Sequence, residues 1–261
     1  MSEVQKMGFT YLSFKALYSY QTIRLFILFR IVDPLMHYLF YAILASSIVG
    51  SNYFKYVVIG NIAAYTCHTV IINFMNMFRM ERRYRTLELN IASPMPNILI
   101  IIRKSIVPLL DGILVFSFGL IFGSLLFNLH FPFEQIINLL LIFIITIFSI
   151  MSFSLLFAGV SLIFSNVNLV LNIVLGVFQV FCGVNFSVTL FPSWIEFFSR
   201  KLPLTHSVEA LRSIYHLEQL NIYPLIVTEF LIGLIYFFVA LLFISILEKQ
   251  SRKNGALFKG I

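Results

Sequence analysis

Arg79-Met80-Glu81-Arg82-Arg83-Tyr84-Arg85-Thr86-Leu87-Glu88 forms a charged stretch between two long apolar runs, and Ser93-Pro94-Met95-Pro96 follow it. Met80, Tyr84, Leu87 and Ile91 recur at intervals of four, three and four. On a helix that spacing makes one apolar stripe with charges on the other faces. Such a helix between two membrane-length runs needs a surface to press against. Two surfaces meet the need: the lipid headgroup layer or a cleft in a cytosolic partner.

The rest of the chain sets the environment. Of its 261 residues 60% are hydrophobic and only 11% are charged, more apolar content than a water-soluble core of this length needs. The chain reads as an integral membrane protein. Apolar runs of roughly 20 residues suffice to cross a bilayer, and they place spans at residues 31–50, 55–78, 105–129, 136–164, 167–190 and 223–247. Six spans put both termini on one side. Fourteen basic residues, including Arg79, Arg82, Arg83, Arg85, Arg103 and Lys104, fall on that side, whereas Lys55, Arg200, Lys201 and Arg212 fall on the other. The positive-inside bias therefore predicts cytosolic termini and a cytosolic 79–104 segment. A net charge of +7 then follows from basic edges facing anionic lipid, with no nucleic acid needed.

The stretch before the first span differs from a span. Lys15, Ser19, Thr22 and Arg24 interrupt its aromatic and aliphatic residues, so residues 1–30 are expected to form a cytosolic interfacial helix rather than a cleaved signal. Asp33-Pro34 is expected to cap and start the first span. Residues 248–261 form a basic cytosolic tail. With no repeat or soluble linker, residues 1–261 read as one domain.

Catalytic motifs are wanting. The sequence contains no GxxxxGK[ST] phosphate loop, no HExxH pair and no GxSxG elbow. No catalytic residue and no metal ligand is assigned, and Cys67 and Cys182 read as apolar packing residues. The spans do carry polar stripes. Thr66, Thr69, Asn73 and Asn76 follow helical spacing in the second span, and Asn168, Asn172 and Gln179 share a face in the fifth. Amides and hydroxyls in lipid need a partner helix or a wet cavity, so both stripes are expected to point inward as a shared seam, serving either interhelical bonding or a path lining. Asp111 and Glu229 are acids well inside predicted spans. Asp111 is expected to anchor a base near Arg103 and Lys104, and Glu229 ranks above it as a functional acid. Gly119 and Gly123 form a GxxxG packing pattern.

Residues 191–222 are too polar and too broken to cross as one helix. They predict a re-entrant or interfacial helical hairpin closing the outer face, with Thr205 as a helix cap and Glu209 paired to Arg212.

An interfacial N-terminal helix, six spans, Arg85-Thr86-Leu87-Glu88 followed by Ser93-Pro94, and Leu202-Pro203-Leu204-Thr205 with Glu209 and Arg212 before the last span together resemble the ABC-2 type permeases, the membrane subunits of bacterial ABC exporters. The likeness extends over nearly the whole chain. The family commonly has Gly where this chain has Arg85. The resemblance implies that residues 79–96 form a coupling segment seated in a separate ATP-binding subunit, contacted through Met80, Glu81, Arg82, Tyr84, Arg85, Leu87, Glu88 and Ile91. It also implies ATP and Mg on that partner and none in this chain, a second permease chain, identical or homologous, and a bacterial cytoplasmic membrane. The path between the two chains would then be lined by the stripes of the second and fifth spans.

The Phe-, Ile- and Leu-rich spans favour an amphipathic or hydrophobic small molecule as cargo, such as a drug, antibiotic or lipid-like natural product. Within the same family the rival cargo is a lipid-linked glycan or teichoic acid precursor. A different class of protein, a membrane scaffold or channel working without ATP, would use the 79–96 stripe at the headgroup layer alone.

Overall fold

A computed structural model describes residues 23–50, 53–83, 97–163 and 167–254. The described secondary structure is helical throughout. It runs as α1 (Ile23–Ile27), a π-helical turn (Leu28–Val32), α2 (Asp33–Val49), α3 (Phe54–Arg83), α4 (Asn97–Phe127), α5 (Ile136–Ile163), α6 (Val167–Phe181), α7 (Ser193–Ser199), α8 (Thr205–Ile214) and α9 (Ile222–Asn254), with short 3-10 turns before α5 and α7.

Among the described residues five helical stretches are long and apolar enough to cross a bilayer: Arg24–Val49, Phe54–Asn76, Ser105–Phe127, Phe133–Phe157 and Ile222–Ile246. The chain is therefore a multi-pass membrane protein. The sixth expected span, 167–190, is shorter than its hydropathy suggests. Its helix ends at Phe181, and at 1.5 Å per residue α6 measures about 22 Å against a hydrocarbon core of about 30 Å. Gly183 ends it. Its φ of 70° is the left-handed conformation that closes helices, which glycine adopts without a Cβ clash.

The expected break at Asp33-Pro34 is also corrected. The helix runs on from α1 into α2 through the π turn, and the Asp33 N–H donates to the carbonyl of Leu28, five residues back. A π turn widens the helix by one residue, and here it comes directly before a proline that can donate nothing. No side chain caps α2. Instead the Asp33 carboxylate accepts a hydrogen bond from the Tyr65 hydroxyl.

At the centre lies α3. The spanning part of this helix is 83% buried, far more than that of any other span, and it packs against α2, α4, α5, α6 and α8. Between helices in lipid there is no hydrophobic gain, so close packing has to come from small residues and polar contacts. The GxxxG expectation fits this picture. A Cβ at Gly119 would lie 2.8 Å from Ile62, and one at Gly123 2.9 Å from Leu129 and 3.3 Å from Ile62, so α4 presses its glycine face onto α3. Along the other side α9 packs on α5, where Gly233 lies against Phe148 and Ser149.

Candidate functional site

Three polar joints hold other elements to α3 and its neighbours.

The first joint is a buried carboxylate. Asp111 on α4 receives the Arg30 guanidinium on both oxygens, Nε to Oδ1 at 2.6 Å and Nη2 to Oδ2 at 2.5 Å, and the Asn73 amide donates to Oδ2 as well. One acid thus gathers the π turn, α3 and α4. The fork geometry suits Arg, whose rigid guanidinium matches a carboxylate bidentately. Asp111 thus anchors a base, Arg30, that lies 81 residues away in the sequence, while the side chains of Arg103 and Lys104 lie outside what the structure describes. Spacing along one helix cannot reveal a partner that arrives from another.

The second joint lies nearer the start of α3. The Gln179 amide on α6 donates to the Asn61 Oδ1 at 3.0 Å, and the Asn61 amide donates to the Asn185 Oδ1 at 2.9 Å and to the Val57 carbonyl at 2.9 Å. The second and fifth predicted spans do therefore share a polar contact, but Asn61 carries it. The Thr66 and Thr69 hydroxyls instead donate to the carbonyls of Ile62 and Tyr65, one turn back on their own helix, a common way for a hydroxyl to be satisfied in lipid. Asn76 is half-buried, while Asn168 and Asn172 are exposed on the surface of the chain. Of the seven residues expected in the seam, Gln179 joins α6 to α3 and Asn73 joins α3 to α4.

The third joint is Arg212, a fully buried arginine on α8. Its guanidinium donates to the carbonyls of Gly183 at 2.7 Å, Val184 at 2.6 Å and Tyr56 at 3.3 Å, and it stacks over the Tyr56 ring at 3.5 Å. Arg212 thereby satisfies carbonyls that the end of α6 leaves open. The approach is tight: a Cβ at Gly60 would sit 2.1 Å from the Val184 oxygen and 2.7 Å from the guanidinium. Burial lowers the Arg212 pKa from its ordinary value, with Tyr56 and Glu218 acting in the opposite direction. It nonetheless keeps its charge, as arginine does in proteins. Nearby, burial pushes the Tyr215 hydroxyl up to about 12.

The expected pairing of Glu209 with Arg212 is not made. Glu209 meets Arg200 at 3.4 Å and His206 at 3.5 Å, because Arg212 is drawn to the end of α6. Nor does Thr205 cap α8. It is the first helical residue, and its hydroxyl donates to the Ser199 carbonyl at 2.7 Å. The cap comes from Glu229 on α9, whose Oε1 accepts the Leu204 N–H at 2.8 Å. A carboxylate suits the partial positive charge at a helix start, and it holds Leu204 at a φ of 87° that non-glycine residues seldom adopt. All ten residues of α8 are buried, whereas α7 exposes Trp194, Phe197 and Phe198.

Met80, Glu81 and Arg82 lie on the last turns of α3, which runs to Arg83. Tyr84, Arg85, Leu87, Glu88 and Ile91 lie outside the described residues. Among the described residues no cluster of three or more potential metal ligands occurs.

A bundle of bilayer-length helices pinned by buried polar joints defines a polytopic α-helical membrane protein. A family model, ABC-2 type transporter, matches residues 9–216, most of the chain, and the protein belongs to that family. It is a membrane transport component of an ABC system. Comparison with curated proteins gave no match.

Proposed function

We propose that the chain is the permease subunit of an ATP-driven exporter. In this reading residues 79–96 dock through the Met80, Tyr84, Leu87 and Ile91 stripe into a separate ATP-binding subunit that holds ATP and Mg. A second permease chain completes the path. The observation that carries the reading is the continuity of α3. Its 30 residues rise about 45 Å, from the Asn61 and Arg212 joints at one end to the start of the coupling segment at the other.

A buried, continuous helix transmits displacement because packed helices shift as units. Movement of the coupling segment would tilt α3 and so strain its contacts with α6 and α8. The contact between α3 and α6 is a hydrogen bond between the Asn61 and Gln179 side chains, which can exchange partners at low cost compared with refolding a helix. ATP binding by the partner would then favour one arrangement of α3 and α6 over another, and alternate opening of the path follows from that bias.

The exposed Asn168 and Asn172 face of α6 suits a wet surface between two permease chains better than a lipid one. The apolar spans suit an amphipathic or hydrophobic small molecule as cargo. The basic bias of the termini and the 79–104 segment supports a cytosolic location for them, with the 191–222 segment then closing the outer face.

The test is isolation of the tagged chain from its native membrane in mild detergent, with mass spectrometry of whatever co-purifies. A Walker-motif ATPase is expected in the sample. Recovery of the chain alone, under conditions that preserve complexes, would contradict the reading and favour a scaffold or channel.

A further inference from the structure

Asp33 is an exposed acid at the depth where membrane proteins keep fewest charges. It lies inside the Arg24–Val49 span, and the hydrogen bond it accepts from Tyr65 sets its level, because Tyr65 is the midpoint of the Phe54–Asn76 span. An ionisable side chain at mid-span is costly in lipid and belongs against protein or a wet path. The neighbouring charges do not offset it. Arg30, one turn earlier, is committed to both oxygens of Asp111, which leaves this level with one acid more than it has bases. Among the described residues Asp33 makes no ion pair.

Four rings stand with this acid. His37, one turn along α2 on the same face, lies 4.8 Å from the Tyr41 ring and 5.2 Å from the Tyr65 ring, and the His68 ring on α3 lies 5.3 Å from that of Tyr65. His37, Tyr41 and His68 are half-buried, so they meet whatever lies against this face. His37 also stands beside Asn61, the residue that Gln179 of α6 reaches, so the face adjoins the contact between α3 and α6. A carboxylate flanked by aromatic faces attracts a cation in two ways, through opposite charge and through the ring quadrupole. Rings favour an ammonium or similar ion with organic substituents, and among the described residues no three potential metal ligands gather.

We propose that Asp33, with His37, Tyr41 and His68, forms a binding site for an organic cation that carries apolar groups. Resting on the permease reading, this makes the cargo a cationic amphiphile that passes Asp33 on its way out.

The probe is tetraphenylphosphonium, with triphenylphosphine oxide as its neutral counterpart. Binding of each to the full chain, in a neutral detergent and without nucleotide, is measured by equilibrium dialysis. The phosphonium is expected to bind the unmodified chain about tenfold tighter than the oxide, an effect within reach of one opposite charge away from water. Asp33→Asn keeps the shape and an oxygen to accept from Tyr65, and it should abolish the preference. Asp33→Glu should retain it, and Tyr41→Leu should weaken phosphonium binding more than oxide binding, by about threefold. Equal binding of the two probes by the unmodified chain would overturn the proposal, as would a preference that survives Asp33→Asn. Dialysis needs no ATP, so the site and the permease reading fail separately. A preference that depends on Asp33, in a chain that recovers no ATPase, would sustain the site and remove only its place on a transport path. An active ATPase complex with no preference would overturn the site and leave the permease reading standing.

Discussion

Arg30 and Asp111 form a bidentate ion pair inside the helix bundle, with the Asn73 amide on the same carboxylate. The pair ties the π turn of the first span to α4, on the side of α3 that leads toward Arg83. Both side chains are at least nine-tenths buried, so neither can turn to water if the other is removed.

Arg30→Ala or Asp111→Ala should therefore destabilise the protein strongly, by about 3–5 kcal/mol, because each leaves one buried charge alone. Replacing both together, as Arg30→Met with Asp111→Leu, should cost much less than the two single changes summed. Thermal unfolding of the four proteins in detergent measures the difference. Additive losses would show that the pair does not act as a unit.

At the opposite end of α3, Gly60→Ala should be disruptive although alanine is the better helix former. The added Cβ would stand 2.1 Å from a backbone oxygen, which cannot swing away as a side chain can. A loss of about 1–3 kcal/mol is expected, the usual cost of overpacking. Gly176, whose Cβ would meet open space, should accept alanine with no loss. A melting temperature for Gly60→Ala equal to that of Gly176→Ala would contradict the close approach of Arg212 and Val184 to α3.

Arg212→Lys should behave like a loss of the residue rather than a conservative change. Three carbonyls accept from one guanidinium, and a lysine ammonium cannot reproduce the planar fork or the stacking on Tyr56. Limited proteolysis between residues 182 and 192 should accelerate at least as much in Arg212→Lys as in Arg212→Leu. Protection of that segment in the lysine variant would show that charge alone holds it.

The contact between Gln179 and Asn61 should be visible as coupling. Asn61→Leu and Gln179→Leu remove the same bond, so the double variant should lose less stability than the sum of the singles, by about 0.6–2 kcal/mol. Under the permease reading each single change should also alter the ATPase response to cargo or the range of cargo carried. Asn172→Leu, on the exposed face of α6, should leave stability unchanged and act on transport alone. Unchanged transport in all three would leave these amides with a packing role only.

Leu87→Asp and Glu88→Lys test the docking of the 79–96 segment. Each should leave membrane insertion intact and lower ATP-driven transport about tenfold or more, as loss of an interface anchor does. Transport at the unmodified rate in both would remove the support for a partner cleft.

The all-helical, membrane-spanning class was legible in the sequence because bilayer thickness fixes the length of an apolar helix. The sequence could not show where helices stop. The end of α6 depends on Gly183 entering a left-handed conformation and on Arg212 arriving from α8, and hydropathy continues unbroken past that point. The same limit explains Asp33, read as a cap but bonded to Tyr65, and Thr205, read as a cap but bonded to the Ser199 carbonyl. A local rule assigned each a neighbour, whereas the fold supplied a distant one. Asn61 went unnoticed because it lies one turn before the Thr66 stripe, among apolar residues, and gains meaning only beside Gln179. Glu229 stood out as a buried acid, yet its contact with the Leu204 N–H required the positive φ that the structure reveals.

Under the permease reading, ATP on a partner subunit rearranges α6 relative to α3. Cys67 and Cys182 are both buried, so a single cysteine introduced as Asn172→Cys can be labelled selectively with a membrane-impermeant maleimide in the native-membrane complex. The labelling rate is compared without nucleotide and with ATP trapped by vanadate. A change of about tenfold is expected, because under the permease reading position 172 lies on the face that the path alternately opens and closes. Equal rates in the two states, in a complex shown to hydrolyse ATP, would contradict it.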